Sequence, residues 1–139
     1  MTGRARGRTQ VCGRSDALTR LAYARKALEV AEVTATEDEI PESASVAAAL
    51  AVLAGIAGAD AACCAALGRR SRGQDHHEAE ALVAEIEPGG PSAASALRRL
   101  LDLKDTAHYG LIPVSRQKLS SAMRQAANLI EFAASVARR

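Results

Sequence analysis

The sequence predicts an all-α protein, an antiparallel bundle of four to five helices around a central, alanine-rich, buried helix. Three observations carry that expectation. Apolar residues make up 48% of the chain and aromatic residues 2%, with no Trp and Phe132 the sole Phe, so alanine and leucine must fill the core. Alanine loses no side-chain entropy in a helix, and the aromatic residues that favour strands are scarce. From Ser43 to Leu67 the one charge is Asp60, so that segment is apolar on every side and must be enclosed by other helices or by lipid. Elsewhere, apolar residues recur in steps of three and four, the period of a helix with one buried face. At 139 residues the chain fits one domain, large enough for a core and too small for two ordinary ones.

Residues 1–14 read as a disordered basic tail, separate from a helical domain over 15–139. Arg4, Arg6, Arg8 and Arg14 lie there without an acid, so the formal charge of +2 conceals a slightly acidic remainder. The tail lacks the apolar stretch of a secretion signal. Ser15 is a candidate N-cap with Asp16 in the first turn, and Leu18, Leu21, Ala22, Arg25 and Leu28 mark an amphipathic helix to about Val33. "TATEDEIPES" is polar and carries Pro41, which predicts a loop. The Ser43–Leu67 helix is expected to be enclosed by protein. Alanine and glycine gain little from lipid, and Asp60 would lie well inside a span, so no membrane association is expected. Gly68 is placed to terminate it.

Asp75, followed three residues later by Glu78, resembles a capping box for "HHEAEALVAEIE". That helix stops at "PGGP". Ser92 caps the next, in which Ala93, Leu97, Leu100, Leu101 and Lys104 share a face until Gly110 and Pro113 end it. Ser115 opens the last helix, with Leu119, Ala122, Met123, Ala126, Ile130, Ala133 and Ala137 as its stripe. No sheet and no solenoid repeat are expected. Cys12 and the adjacent Cys63 and Cys64 give an odd total without C-x-x-C spacing. They are read as small buried hydrophobes in a reducing, cytoplasmic compartment, not as a disulfide framework or zinc site.

Chemistry is expected in three places. A lone acid in an apolar helix is costly unless paired, so Asp60 calls for a cation folded back from Arg69–Arg72, or for His108 or Lys104 on a neighbouring helix. Such a pair either fixes the register of the bundle or lets Asp60 orient a catalytic histidine. "RRSRGQDHH" sets Arg69, Arg70 and Arg72 before a helix N-terminus, which suits phosphate, with His76 and His77 as acid–base groups near neutral pH. "KDTAHY" adds Lys104, Asp105, His108 and Tyr109. No HExxH, G-x-S-x-G or glycine-rich phosphate loop occurs, so no metal or cofactor is expected and acyl transfer and nucleotide folds are excluded. A small-ligand pocket lined by Asp60, Cys64 and His108 is a further reading.

This order of features, a helical bundle whose penultimate helix ends in a polar-His-Tyr segment before a final amphipathic helix, resembles the HEPN superfamily of prokaryotic RNA-associated domains over roughly residues 15–137. HEPN ribonucleases carry an arginine, four to six residues, then a histidine. In "KDTAHY" His108 and Tyr109 match by position, with Lys104 standing for the arginine at a spacing of three residues. "RSRGQDH" has the family spacing, five residues between Arg70 and His76, at another place in the chain. The resemblance implies one of two functions. The first is a non-catalytic module binding a protein partner or an anion such as RNA. The second is metal-independent RNA cleavage, as in toxins or defence systems, with His108 as acid–base, Arg70, Arg72 or Lys104 as the cation, and Asp60 in support. It also implies a homodimer or a helical protein partner. With Tyr23, Tyr109 and Phe132 the only aromatics, broad stacking on RNA bases is not expected.

Overall fold

A computed structural model describes residues 9–72 and 76–139. Five helices account for most of them: α1 (Arg14–Ala35), α2 (Pro41–Leu67), α3 (His76–Ala84), α4 (Gly90–Tyr109) and α5 (Arg116–Ala137). The class is therefore all-α, with one departure. Strands β1 (Thr9–Val11) and β2 (Arg69–Ser71) form an antiparallel ribbon in which Gln10 lies opposite Arg70. Residues 9–14, expected to be an irregular tail, are thus a strand and the start of α1. Strand pairing was hidden because three-residue strands leave no alternating pattern to read. Arg4, Arg6, Arg8 and the expected cap Asp75 lie outside the described residues.

Helix α2 is the hub, packed against α1, α4 and α5. It is long and apolar enough to cross a membrane, but most of its most apolar window is buried against protein. Small residues make that enclosure tight. A Cβ on Gly55 would collide with the Leu100 side chain, and one on Gly58 would touch the backbone of Leu129, so α4 and α5 approach α2 closely at its glycines. Leu97, Leu100, Leu119 and Leu129 are the largest fully buried side chains of α4 and α5. Burying each stabilises the fold by about 2 kcal/mol. At its C-terminal end, Gly68 takes a φ of 73°, and the chain reverses into β2.

Helix boundaries differ from the expectation where glycine intervenes. Gly13, not Ser15, is the N-cap of α1, and its amide donates to the Asp16 carboxylate at 2.9 Å. Helix α4 starts at Gly90, ahead of Ser92, because Gly89 supplies a left-handed N-cap and Pro91 is tolerated in the first turn. Ser115 does cap α5, its hydroxyl accepting from the Lys118 amide at 3.1 Å. The buried face of α1 is rotated from the one expected: Ala17, Leu21, Ala24 and Ala31 face the core, and Leu18, Ala22 and Arg25 are exposed. The physical reason is proximity, since alanines let α1 lie close against the alanines of α2 where leucines would hold it off. On α5 the expected stripe is buried apart from the half-buried Met123, and Leu129 and Val136 complete it.

Candidate functional site

Asp60 lies in the last two turns of α2, its side chain 16% exposed, and it is answered by two cations. The turn at Gly68 sends β2 back along the helix end, which brings Arg70 Nη1 to 3.1 Å from Asp60 Oδ2. From α1, Arg20 Nε approaches the same oxygen to 3.9 Å, an electrostatic contact too long for a hydrogen bond. Arg20 Nε is buried and has no hydrogen-bond partner among the described residues. The Arg20 guanidinium lies 4.6 Å from the centroid of the Tyr23 ring, a cation–π contact. Burial raises the Asp60 pKa above the ordinary carboxylate value, and the charges of Arg70 and Arg20 pull it part of the way back.

The N-terminal strand completes the cluster. Gln10 Oε1 accepts from Arg70 Nε at 3.2 Å and from Arg70 Nη2 at 3.0 Å. Two residues on, Cys12 is bonded to Cys64 across a sequence separation of 52, with Cα atoms 5.2 Å apart, and its amide donates to the Gly68 carbonyl at 3.0 Å. Closing a loop of that length contributes about 4 kcal/mol on the chain-entropy account. The disulfide corrects the expectation that all three cysteines are free. Only Cys63 is free and buried, and its thiol is pushed up to about 12, by burial first and then by the charges of Asp60 and Glu85. Gln10, Val11, Cys12, Asp16, Thr19, Arg20, Cys64 and Arg70 line an open cleft of about 310 Å3.

The remaining predicted site residues are distributed elsewhere. Arg69 turns to Glu85 at 3.4 Å, and Arg72 is exposed. His76 and His77 begin α3, where Ser71 Oγ donates to Glu78 at 3.3 Å. Among the described residues no three His, Cys, Asp or Glu side chains are grouped to hold a metal ion. His108 ends α4 at the opposite end of the molecule. Its neighbour Ala107 is buried with Ala31, Ala44, Ala47 and Ala48, and Ala48 is roughly 18 Å from Asp60 along α2 by helical rise. The fold therefore does not bring His108 or Lys104 to Asp60, Arg70 or Arg72, and Asp60, Cys64 and His108 do not share a pocket. Asp105 and Tyr109 are exposed, and the His108 and Tyr109 rings lie 5.8 Å apart at a 42° tilt.

Gln10, Cys12 and Arg20 are the members that sequence reasoning missed. A signal existed for Arg20, which lies three residues after Ala17 and four before Ala24, on the buried face of α1. No such signal marks Gln10, which is placed by pairing between residues 60 apart. No protein-family model and no curated protein matches the chain.

Proposed function

We propose that the chain is a HEPN-like antiparallel helical bundle that binds a phosphate-bearing ligand, RNA foremost, at the Arg20–Arg70 cleft without cleaving it. The observation that carries this reading is a pairing: two guanidiniums from separate elements, Arg20 and Arg70, both held by Asp60, line one open cleft together with Asp16. Arg20 and Arg70 both line the cleft, and a guanidinium is the side chain that suits phosphate oxygens. Beside it, half-exposed Tyr23 carries the stacked Arg20, a surface on which an unpaired base can lie. In sequence, Arg4, Arg6 and Arg8 lead directly into the strand that forms one wall of the cleft. A histidine is absent from the cleft lining, which favours binding over general acid–base cleavage.

The test is binding of a short single-stranded RNA across a salt series, with cleavage followed in the same metal-free tubes. Binding that weakens with salt, weakens further in Arg20→Ala and Arg70→Ala, and leaves the RNA intact supports the reading. RNA cleaved by the native protein and spared by His108→Ala would replace it with the ribonuclease alternative.

A second reading has its own observation. Tyr109, Leu111 and Ile112, in and after the last turn of α4, are 76%, 100% and 77% exposed. Val114 N donates to Ser45 Oγ at 2.9 Å and Arg116 Nη2 to the Ala35 carbonyl at 2.7 Å, so this apolar loop sits beside the end of α1 and the start of α2. The acidic run Glu37–Glu39 and the basic Arg116 and Lys118 flank that end, a self-complementary arrangement that fits a second copy of the chain about a twofold axis.

A further inference from the structure

We infer that the arginine cleft is latched by oxidation: Gln10 occupies the binding edge of Arg70, and the Cys12–Cys64 disulfide keeps it there until a dithiol reductant releases it. The inference rests on the phosphate-binding reading above. It starts from which donors of Arg70 are in use. Nη1 is engaged by Asp60, while Nε and Nη2 both donate to the one Gln10 oxygen. The Nε–Nη2 edge is the planar fork that matches two oxygens of a phosphate. In the oxidised protein a neutral amide oxygen therefore stands where an anion would bind.

The disulfide is the covalent hold on the strand that carries that oxygen. β1 is three residues long, pairs among the described residues with β2 alone, and leaves Gln10 and Val11 exposed, and such a ribbon is marginal by itself. Its further ties include the hydrogen bond from Cys12 N to Gly68 O and, just beyond the strand, that from Arg14 Nη1 to the Ala137 carbonyl. The disulfide itself lines the cleft, and Cys12 is its partly exposed member. Reduction proceeds by exchange. A thiolate of the dithiol attacks the Cys12 sulfur, a mixed disulfide forms, and the Cys64 sulfur leaves as a thiolate and takes a proton. The second thiol of the reductant then attacks its own sulfur in the mixed disulfide, expelling Cys12 as a thiolate that is protonated in turn. Two electrons and two protons have moved, leaving two protein thiols and an oxidised reductant. Cys63 does not divert the exchange, since its buried thiol stays protonated. Freed of its anchor, β1 withdraws Gln10 and opens the fork of Arg70.

The experiment compares full-length protein, oxidised and reduced with dithiothreitol, for binding of inorganic phosphate and of a short 5′-phosphorylated oligouridylate. Reduction is expected to tighten binding about tenfold, the worth of one charge-assisted hydrogen bond. Gln10→Ala should give the oxidised protein the affinity of the reduced one, and Cys12→Ser should bind at that higher level under both conditions. Exchange of the Cys12 amide hydrogen should accelerate on reduction, a readout that needs no ligand. A tenfold response with either probe supports the latch, and the probe that gives it distinguishes free phosphate from a nucleic-acid backbone. Equal affinity in both redox states, with binding lost in Arg70→Ala, overturns the latch and leaves the site standing. Undiminished binding in Arg70→Ala removes the site and the latch together.

Discussion

At one end of α2, Asp60 meets Arg70 and Arg20, Gln10 closes on Arg70, and a covalent bond pins the strand that carries it. At the other end, His108 closes α4 with its Nε2 buried and unpartnered among the described residues, next to a loop whose large apolar side chains are exposed. Both ends hold polar groups that a helical core would ordinarily exclude. The first end has supplied partners from β1, α1 and β2, which answer its polar groups apart from Arg20 Nε. The second leaves His108 Nε2 unanswered among the described residues and exposes Leu111 and Ile112. The difference teaches what each end presents: the Asp60 end charge in a cleft, the His108 end exposed apolar side chains.

Four measurements break or sharpen that contrast. The largest effect is expected from reducing Cys12–Cys64, which should lower the unfolding free energy in urea by up to about 4 kcal/mol, the loop-closure term for this separation. An unchanged midpoint would mean the disulfide adds nothing to the pinned end. Next, Asp60→Ala should cost about 2 kcal/mol by stranding two half-buried guanidiniums, while His108→Ala, which removes an unanswered group, should stay within about 1 kcal/mol. Equal losses at both ends would erase the distinction between answered and unanswered groups.

At the apolar end, Leu111→Asp with Ile112→Asp should shift stability by less than about 0.5 kcal/mol, since neither side chain is buried. The pair should nevertheless abolish any dimer seen by sedimentation velocity. A native protein that sediments as a monomer at high concentration would count against the second-copy reading. The smallest effect concerns pH. Because the folded state raises the Asp60 pKa, the native protein binds that proton more readily than the unfolded chain. Stability gained through Asp60 should therefore rise as pH falls through its folded pKa toward the ordinary 3.8, and be lost as pH rises. Asp60→Asn should lack that component in otherwise matched denaturation curves.

Much of the fold was legible because helices announce themselves locally. The stripe of α5, its Ser115 cap and the Gly68 stop are all relations between residues a few positions apart, and they stand as read. The need of Asp60 for a cation was legible too, as was Arg70 among the candidates, because Gly68 made a return of the chain predictable. The face of α1 was misjudged since Leu18 and Ala17 are both apolar, and only the closeness of α2 selects the alanine. The strand ribbon, the disulfide and Gln10 had no comparable signal, and His108 was assigned to the wrong neighbourhood because sequence order does not say which end of α2 it meets.

The sequence by itself determined that the chain would be helical, that an alanine-rich helix would be its enclosed centre, and that the lone acid in that helix would need an answering charge. These follow from side-chain entropy, periodicity and the cost of burying a charge, which act within a few residues or on composition alone. Tertiary structure decided which cation answers, that Cys12 reaches Cys64, and that His108, on α4, packs near the end of α2 remote from Asp60. Those outcomes depend on contacts between residues 52 and 60 apart, as with Cys12–Cys64 and Gln10–Arg70. Such distances are set by how helices pack, and no local preference encodes them.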